Sequence, residues 1–224
     1  MTTKNESNIV VIHGIRNTLE TMDELLKQRF PKYAVFHLYD QYLAWEPEYQ
    51  GEFSQSNLNR FYFLLKSAEL TGAKVILLAC SIPCLYADTL RPLIKPPVIG
   101  ILDASVNIVA KQNGKVGLFS TSRGSSETML GLLQKKTQGN AKCEVERVIC
   151  NEAFKVLQQG NRDLHDSLIL EEAKKLKGMD LVVLTQLSMA RLKNDIQKVC
   201  ECPVVDSALP CLDGLALFLD SDPA

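Results

Sequence analysis

The sequence predicts an α/β fold of two pseudo-symmetric lobes, each a mainly parallel sheet flanked by helices, with a cleft for a site between them. Three observations carry that expectation. Lys74-Val-Ile-Leu-Leu-Ala-Cys80-Ser81 is a continuous apolar run without helical periodicity, the pattern of a strand buried on both faces. Asp180-Leu-Val-Val-Leu-Thr-Gln186-Leu-Ser188 repeats its order: a charged start, an apolar stretch with a shared leucine (Leu78, Leu184), a small residue and a polar end, with Gln186 answering Cys80. The echo extends in register, since Pro97-Val98-Ile99 recurs as Pro203-Val204-Val205 at the same offset of 106, and Asn8-Ile-Val-Val-Ile-His-Gly14 resembles Lys115-Val-Gly-Leu-Phe-Ser-Thr121 at an offset of 107. Two repeats are too few for a solenoid and fit two α/β lobes whose strand ends face each other.

Taken in order, Asn8 to Ile15 reads as the first strand, and Asn17 or Thr18 with Glu20 as the cap of a helix to Arg29, stopped by Pro31. Tyr33 to Asp40 reads as the second strand. Gln41 to Gln55 has neither period and is expected to be a long loop, of the kind that covers a site. Leu58 to Leu70 has amphipathic spacing with Gly72 beyond it, and it leads into the Cys80 strand, so strand and helix alternate as in a parallel sheet. Pro83 suits the first turn of a short helix to Arg91, and Pro92, Pro96 and Pro97 break the chain before the strand Val98 to Leu102. Lobe one is therefore expected to be residues 1–102 with 207–224, and lobe two 103–206.

In lobe two Asp103 caps a helix ending near Asn113-Gly114, strand Lys115 to Thr121 follows, and Ser122-Arg-Gly-Ser-Ser opens the next helix. A small polar loop at a helix start suits a carboxylate. Cys143 to Cys150 is a strand, Asn151 to Gln159 a helix ended by Gly160, and Asp163 to Lys177 a longer helix. After the echo strand Asp180 to Gln186 come a helix Ser188 to Val199, a strand Pro203 to Asp206 and a last helix Ser207 to Leu219, expected to return to lobe one.

Composition narrows the function. A 224-residue chain with 46% apolar and 23% charged residues is an ordinary globular protein, and a net charge of −1 offers no electrostatic footprint for nucleic acid or an acidic membrane. The start lacks the basic region and apolar core of a signal peptide, and no apolar run approaches the roughly 20 residues of a membrane span, so a cytoplasmic protein is expected. Seven cysteines, an odd number, are expected to be thiols. The pairs Cys80/Cys84 and Cys200/Cys202 match no zinc spacing, and no metal is expected. There is no Gly-x-Gly-x-x-Gly or phosphate-binding loop, and no cofactor is expected.

The stretches Ala79-Cys80-Ser81, Gly117-Leu-Phe-Ser-Thr121, Gly160-Asn-Arg-Asp-Leu-His165-Asp166 and Asp180 to Ala190 resemble the aspartate/glutamate racemase superfamily, cofactor-independent enzymes of two α/β lobes. That resemblance covers most of the chain. It implies a cysteine at the end of each equivalent strand, one on each face of the substrate α-carbon, exchanging protons with it. This chain keeps the first as Cys80 and has Gln186 at the second. It also has Ser81-Ile82 and Leu187-Ser188 where the family's racemases carry Asn-Thr and Thr, while Thr121 and Ser122 match the carboxylate-binding turn.

An amide is no acid or base at neutral pH, so Gln186 cannot be the second partner of a two-base racemisation. A single cysteine can still move a proton on one face, as in arylmalonate decarboxylases of the same superfamily. The site residues implied are thus Cys80 and Gln186 as catalytic positions, with His13, Ser81, Thr121, Ser122 and Ser188 around the substrate. Cys80 stands before a predicted helix and is expected to be activated by it. Cys84, His37, His165 and Asp40 have structural readings beside functional ones. The expected partner is a small carboxylate or amino acid, with a homodimer as an open alternative; the alternative activity is carboxylate binding without catalysis.

Overall fold

The structure, a computed structural model, describes residues 8–220. Among them two four-stranded sheets form, both all-parallel. The first is built from β1 (Asn8–His13), β2 (Ala34–Tyr39), β3 (Val75–Leu78) and β4 (Val98–Gly100) in the order β2-β1-β3-β4. The second is built from β5 (Gly114–Ser120), β6 (Cys143–Ile149), β7 (Leu181–Leu184) and β8 (Val204–Val205) in the order β6-β5-β7-β8. The helices are α1 (Leu19–Arg29), α2 (Tyr42–Gln50), α3 (Gln55–Leu70), α4 (Cys84–Leu90), α5 (Asp103–Val109), α6 (Arg123–Thr137), α7 (Asn151–Gln158), α8 (Arg162–Ala173), α9 (Lys193–Cys200) and α10 (Ala208–Asp220). The chain divides into two compact units: one holds the residues up to Ile101 and those from Leu212 onward, the other Leu102–Cys211.

The pairing registers carry the repeat. Ile76 pairs with Val98 and Val182 with Val204, both partners displaced by 106; Ile9 pairs with Val75 and Val116 with Leu181. β3 and β7 thus hold the same place in their sheets. Both are central strands, and every residue of Val75–Leu78 is fully buried, as are Val182, Val183 and Leu184. Burying each such side chain is worth roughly 1.5–3 kcal/mol, which is why these runs read as apolar throughout. The edge strands β2 and β6 are only partly buried, with exposed positions such as Phe36 and Tyr39.

One element corrects the reading of the sequence. The expected loop from Gln41 to Gln55 contains α2, in spite of Pro47 inside it. Tyr42, Trp45 and Tyr49, spaced three and four apart, stack with ring centroids 5.4 and 5.6 Å apart. The buried Glu46 carboxylate accepts from the Ser54 N–H at 3.0 Å and the Ser54 hydroxyl at 2.7 Å, and Asn57 Nδ2 donates to Tyr42 O at 3.1 Å. Gly51, at φ 82, closes the helix in the left-handed region. Aromatic stacking and a buried acceptor therefore outweigh a composition with no helical period. Elsewhere the differences are local: Thr18 does not cap α1 with its side chain, Leu102 rather than Asp103 precedes α5, and α3 begins at Gln55, capped by Ser54, which accepts from the Asn57 N–H. No helix among the described residues is long and apolar enough to cross a membrane.

Candidate active site

In the first unit, β3 ends at Leu78 and the chain passes through Ala79 to Cys80 before the turn into α4. Cys80 is 6% exposed and packs with Ala44 of α2 and with Ile82, with Ile15 and Phe53 alongside. Two backbone N–H groups donate to its sulfur, those of Ile82 and Gly14. Gly14 is required for that approach: a Cβ there would lie 2.7 Å from Cys80 Sγ and 3.2 Å from Ala44 Cβ. Burial pushes the Cys80 thiol up from 9.0 to about 11, against the pull of the two N–H donors. This corrects the expectation of a thiol activated by the following helix. Apolar packing from α2 removes the sulfur from water, and desolvation of the thiolate outweighs the dipoles.

Ser81, 9% exposed, follows in the same turn, and Cys84, one helical turn on, is buried and donates its thiol to Cys80 O at 3.4 Å. His13 is fully buried, with Nδ1 2.8 Å from Thr18 Oγ1 and Nε2 2.9 Å from His37 Nδ1. The Thr18 hydroxyl donates to Ile15 O at 2.7 Å, so it accepts from His13 Nδ1–H, and His13 Nε2 in turn accepts from His37. His37 Nε2 reaches Asp23 Oδ1 at 3.1 Å. Burial, aided by the neighbouring His37 charge, lowers the His13 pKa from 6.5 to about 3. His13 is thus a neutral ring with both nitrogens spent inside the unit. Asp40 lies beyond β2, accepts from Tyr42 N–H at 3.0 Å and pairs with Arg60 at 2.7 Å. With Gln41, Tyr42, Trp45 and Arg60 it lines a shallow depression of about 370 Å³ to which Cys80 does not contribute.

In the second unit, Gln186 stands two residues beyond β7, as Cys80 stands two beyond β3. It is 8% exposed, and its Oε1 accepts from the Thr121 N–H at 2.6 Å and the Thr121 hydroxyl at 2.9 Å. Thr121 is 1% exposed, and both of its donors are committed to this oxygen. Ser122, 2% exposed, caps α6 by accepting from the Ser125 N–H at 3.2 Å. Behind them Ser120 Oγ and Thr185 Oγ1 lie 2.7 Å apart, and Ser125 Oγ lies 3.1 Å from Thr185 O and 2.9 Å from Thr185 Oγ1. Ser188 is half-buried in the 3-10 turn Leu187–Leu192. His165 is on α8, buried, with Nδ1 2.8 Å from Asp166 Oδ1; Asp166 also binds Arg191 through two contacts, and Asn161, not His165, caps the helix.

Each unit therefore assembles its own constellation, Cys80 with Gly14 and Ile82 in one, Gln186 with Thr121 in the other. Gly14, Ile82, Ser120, Ser125 and Thr185 were missed from sequence. The first two act through backbone N–H groups, which no side chain advertises, although Gly14 directly after an apolar strand is a visible sign of close approach. Among the described residues no group of three or more His, Cys, Asp or Glu is placed to hold a metal ion.

The sequence matches the family model of Asp/Glu/Hydantoin racemase over residues 17–209. No curated protein matches it. Solved structures similar to this one include glutamate racemase from Francisella tularensis in complex with D-glutamate (21% identity, 96% of this chain and 81% of that one, TM-score 0.75). Glutamate racemase from Thermus thermophilus in complex with β-chloro-D-alanine is similar at 19% identity (98% and 84%, TM-score 0.74). Allantoin racemase from Klebsiella pneumoniae is similar at 19% (96% and 88%, TM-score 0.69). At such identities the likeness is one of fold.

Proposed function

The chain belongs to the Asp/Glu/Hydantoin racemase family, and on that footing we propose that it is a cofactor-independent enzyme that moves a proton at a carbon next to a carboxylate, with Cys80 as the acid/base. The observation that supports this most is the setting of Cys80: a sulfur just past the C-terminal end of a central strand, held by the Gly14 and Ile82 N–H groups in an apolar wall. A thiolate there takes the α-proton and leaves the electron pair on carbon, conjugated with the carboxylate; the thiol so formed gives the proton back. The Gln186 amide is neither an acid nor a base at neutral pH, so Cys80 is the one proton carrier of this proposal. The substrate is a small carboxylate or amino acid, with aspartate and glutamate as the family's own candidates of that class.

The neutral resting thiol favours a second reading. A sulfur held up to about 11 is above all a proton donor at pH 7. In a substituted malonate, breaking the C–C bond releases CO2 and leaves the electron pair on carbon, which takes the Cys80 proton; water then restores the thiol. One experiment separates the readings. The protein is incubated in D2O with aspartate, glutamate and 2-substituted malonates, and α-deuteration, optical rotation and CO2 are followed. Deuteration without loss of optical activity supports proton exchange on one face, CO2 release supports decarboxylation, and both disappear in Cys80→Ser. Binding without either reaction would instead mark a carboxylate-binding protein and sink the enzyme assignment.

A further inference from the structure

We propose that Cys200 and Cys202 are a reversible modification site: a dithiol at the end of α9 that a small peroxide oxidises to an intrachain disulfide. The two sulfurs already touch. Cys202 Sγ lies 3.3 Å from Cys200 Sγ and donates its thiol proton to it, while the Cys200 thiol has the carbonyls of Cys202 at 3.8 Å and Gln197 at 3.9 Å. Closing an S–S bond of about 2 Å from that contact asks for a movement of roughly 1 Å.

The chain between them is shaped for the bond. Glu201 stands in the left-handed region at φ 59, and its N–H donates to Gln197 O at 3.0 Å and ends the helix. A residue in that region turns the chain as tightly as a helix does, which draws its two neighbours together and suits the short Cα separation of a disulfide. Helices commonly end on glycine at that place, so a glutamate holds the turn at a cost that its surroundings offset. Lys177 pairs with Glu201, Gln197 Oε1 accepts from the Val204 N–H at 3.2 Å, and Pro203 O accepts from the Val182 N–H at 2.9 Å. The turn between α9 and β8 is thus pinned to its helix and to β7, with both sulfurs set into the core beside Ile196 and Val204.

The chemistry divides the roles. Burial, and then the neighbouring Cys200 sulfur, hold the Cys202 thiol well above its usual range, so Cys202 keeps its proton and Cys200 is the attacking sulfur. The Cys200 sulfur attacks one oxygen of hydrogen peroxide, the O–O bond breaks, and the departing hydroxide leaves as water with the Cys200 proton; a sulfenic acid remains. The Cys202 sulfur then attacks the Cys200 sulfur, the S–O bond breaks, and the hydroxide leaves as a second water with the Cys202 proton. Each sulfur gives up one electron and the peroxide takes both. A peroxide suits the place because it is hardly larger than water, and Cys202 is 8% exposed and Cys200 1%. None of these steps depends on the role of Cys80.

The reduced full chain is treated with limiting hydrogen peroxide at pH 7, unfolded in urea with iodoacetamide, cut with trypsin without reductant and read by mass spectrometry. The peptide that follows Lys198 carries Cys200, Cys202 and Cys211, and fragment ions locate each adduct. Cys200 and Cys202 lose their adducts together, the peptide is lighter by the two thiol hydrogens, Cys211 stays alkylated, and dithiothreitol restores both adducts. Since the bond closes on a turn already formed, the oxidised chain unfolds no more than about 2 °C below the reduced one. In Cys202→Ser the second step has no sulfur, so dimedone traps the sulfenic acid at Cys200, where the wild type gives no adduct.

Cys200 and Cys202 still open to alkylation in a chain whose Cys143 is oxidised overturn the proposal. A disulfide from either sulfur to another cysteine does so too, as does an irreversible sulfinic acid in place of the disulfide. A larger fall in Tm, or no dimedone adduct at Cys200 in a folded Cys202→Ser, overturns it as well. Should Cys202→Ser fail to fold, the wild-type readouts decide alone.

Discussion

The reactivity of Cys80 should climb with pH far beyond the range in which an exposed thiol levels off. With the thiol held up from 9.0 to about 11, the thiolate fraction at pH 7 is about one in ten thousand, against about one in a hundred for the ordinary value. The difference corresponds to roughly 3 kcal/mol of lost thiolate stability, the balance between desolvation of the sulfur and the Gly14 and Ile82 N–H groups. Alkylation by iodoacetamide, quantified by mass spectrometry on the Cys80 peptide, should rise about tenfold per pH unit from 7 to 10 and bend only near 11. Restricted access lowers the whole curve without changing its slope. Cys143, half-buried on β6, serves as the internal reference and should be labelled first at pH 7. Circular dichroism at each pH verifies that the fold persists. Labelling of Cys80 as fast as Cys143 at pH 7, or a plateau beginning below pH 9, would refute the argument that burial governs this sulfur.

Gly14→Ala places a Cβ 2.7 Å from Cys80 Sγ and 3.2 Å from Ala44 Cβ, so the sulfur or α2 must shift; a loss of about 1–3 kcal/mol in urea unfolding is expected, and an unchanged midpoint would show that the contact is not made. His13 takes up a proton near pH 6.5 when unfolded but only near 3 when native, so its contribution is full above pH 6.5 and is lost as pH falls toward 3. The stability advantage of the wild type over His13→Leu should therefore shrink between pH 7.5 and about 4.5, and a constant difference would sink the assignment of a neutral, buried His13. Gln186→Cys removes the acceptor from the Thr121 N–H and hydroxyl and should cost about 1–3 kcal/mol, while supplying a second titratable group. Undiminished stability in urea would contradict the Thr121 bond.

The parts of the fold visible in sequence are those written in apolar side chains. β3 and β7 are buried on both faces, so their residues have nothing to alternate with, and the runs after Lys74 and Asp180 announce them directly. The 106-residue offset was legible because the pairing of Ile76 with Val98 and of Val182 with Val204 demands apolar residues in the same register twice. α2 was hidden for the opposite reason. Its rings Tyr42, Trp45 and Tyr49 do fall at helical spacing, but Trp45 and Tyr49 are exposed, while the buried side carries the Glu46 carboxylate answering Ser54, so no apolar stripe marks the helix. Misreading α2 also hid the state of Cys80, since Ala44 is part of the wall that dries the sulfur. From the sequence, a cysteine ahead of a helix suggests activation; only the packing reveals that desolvation wins.

The two halves of the chain show how one hydrogen bond can be put to two uses. In each, the N–H of the residue after the first strand points to the side chain two residues beyond the third, Gly14 to Cys80 and Thr121 to Gln186. A sulfur needs room, and the first half provides it by giving up a side chain at residue 14, where even a methyl group would press on Sγ. The second half keeps a side chain there, because an amide oxygen is small enough to accept from the Thr121 backbone and hydroxyl together. The choice at 14 and 121 thus follows from the choice at 80 and 186. A thiol at 186 facing Thr121 would find a β-branched residue where its counterpart has glycine, so restoring a cysteine alone leaves the second half short of the cradle that Cys80 has. Gln186→Cys should accordingly cost less stability in a Thr121→Gly background than in the wild type, read from the urea midpoints of the wild type, the two single variants and the double variant. If the loss is the same in both backgrounds, the link between the residue after the first strand and the group it serves is broken.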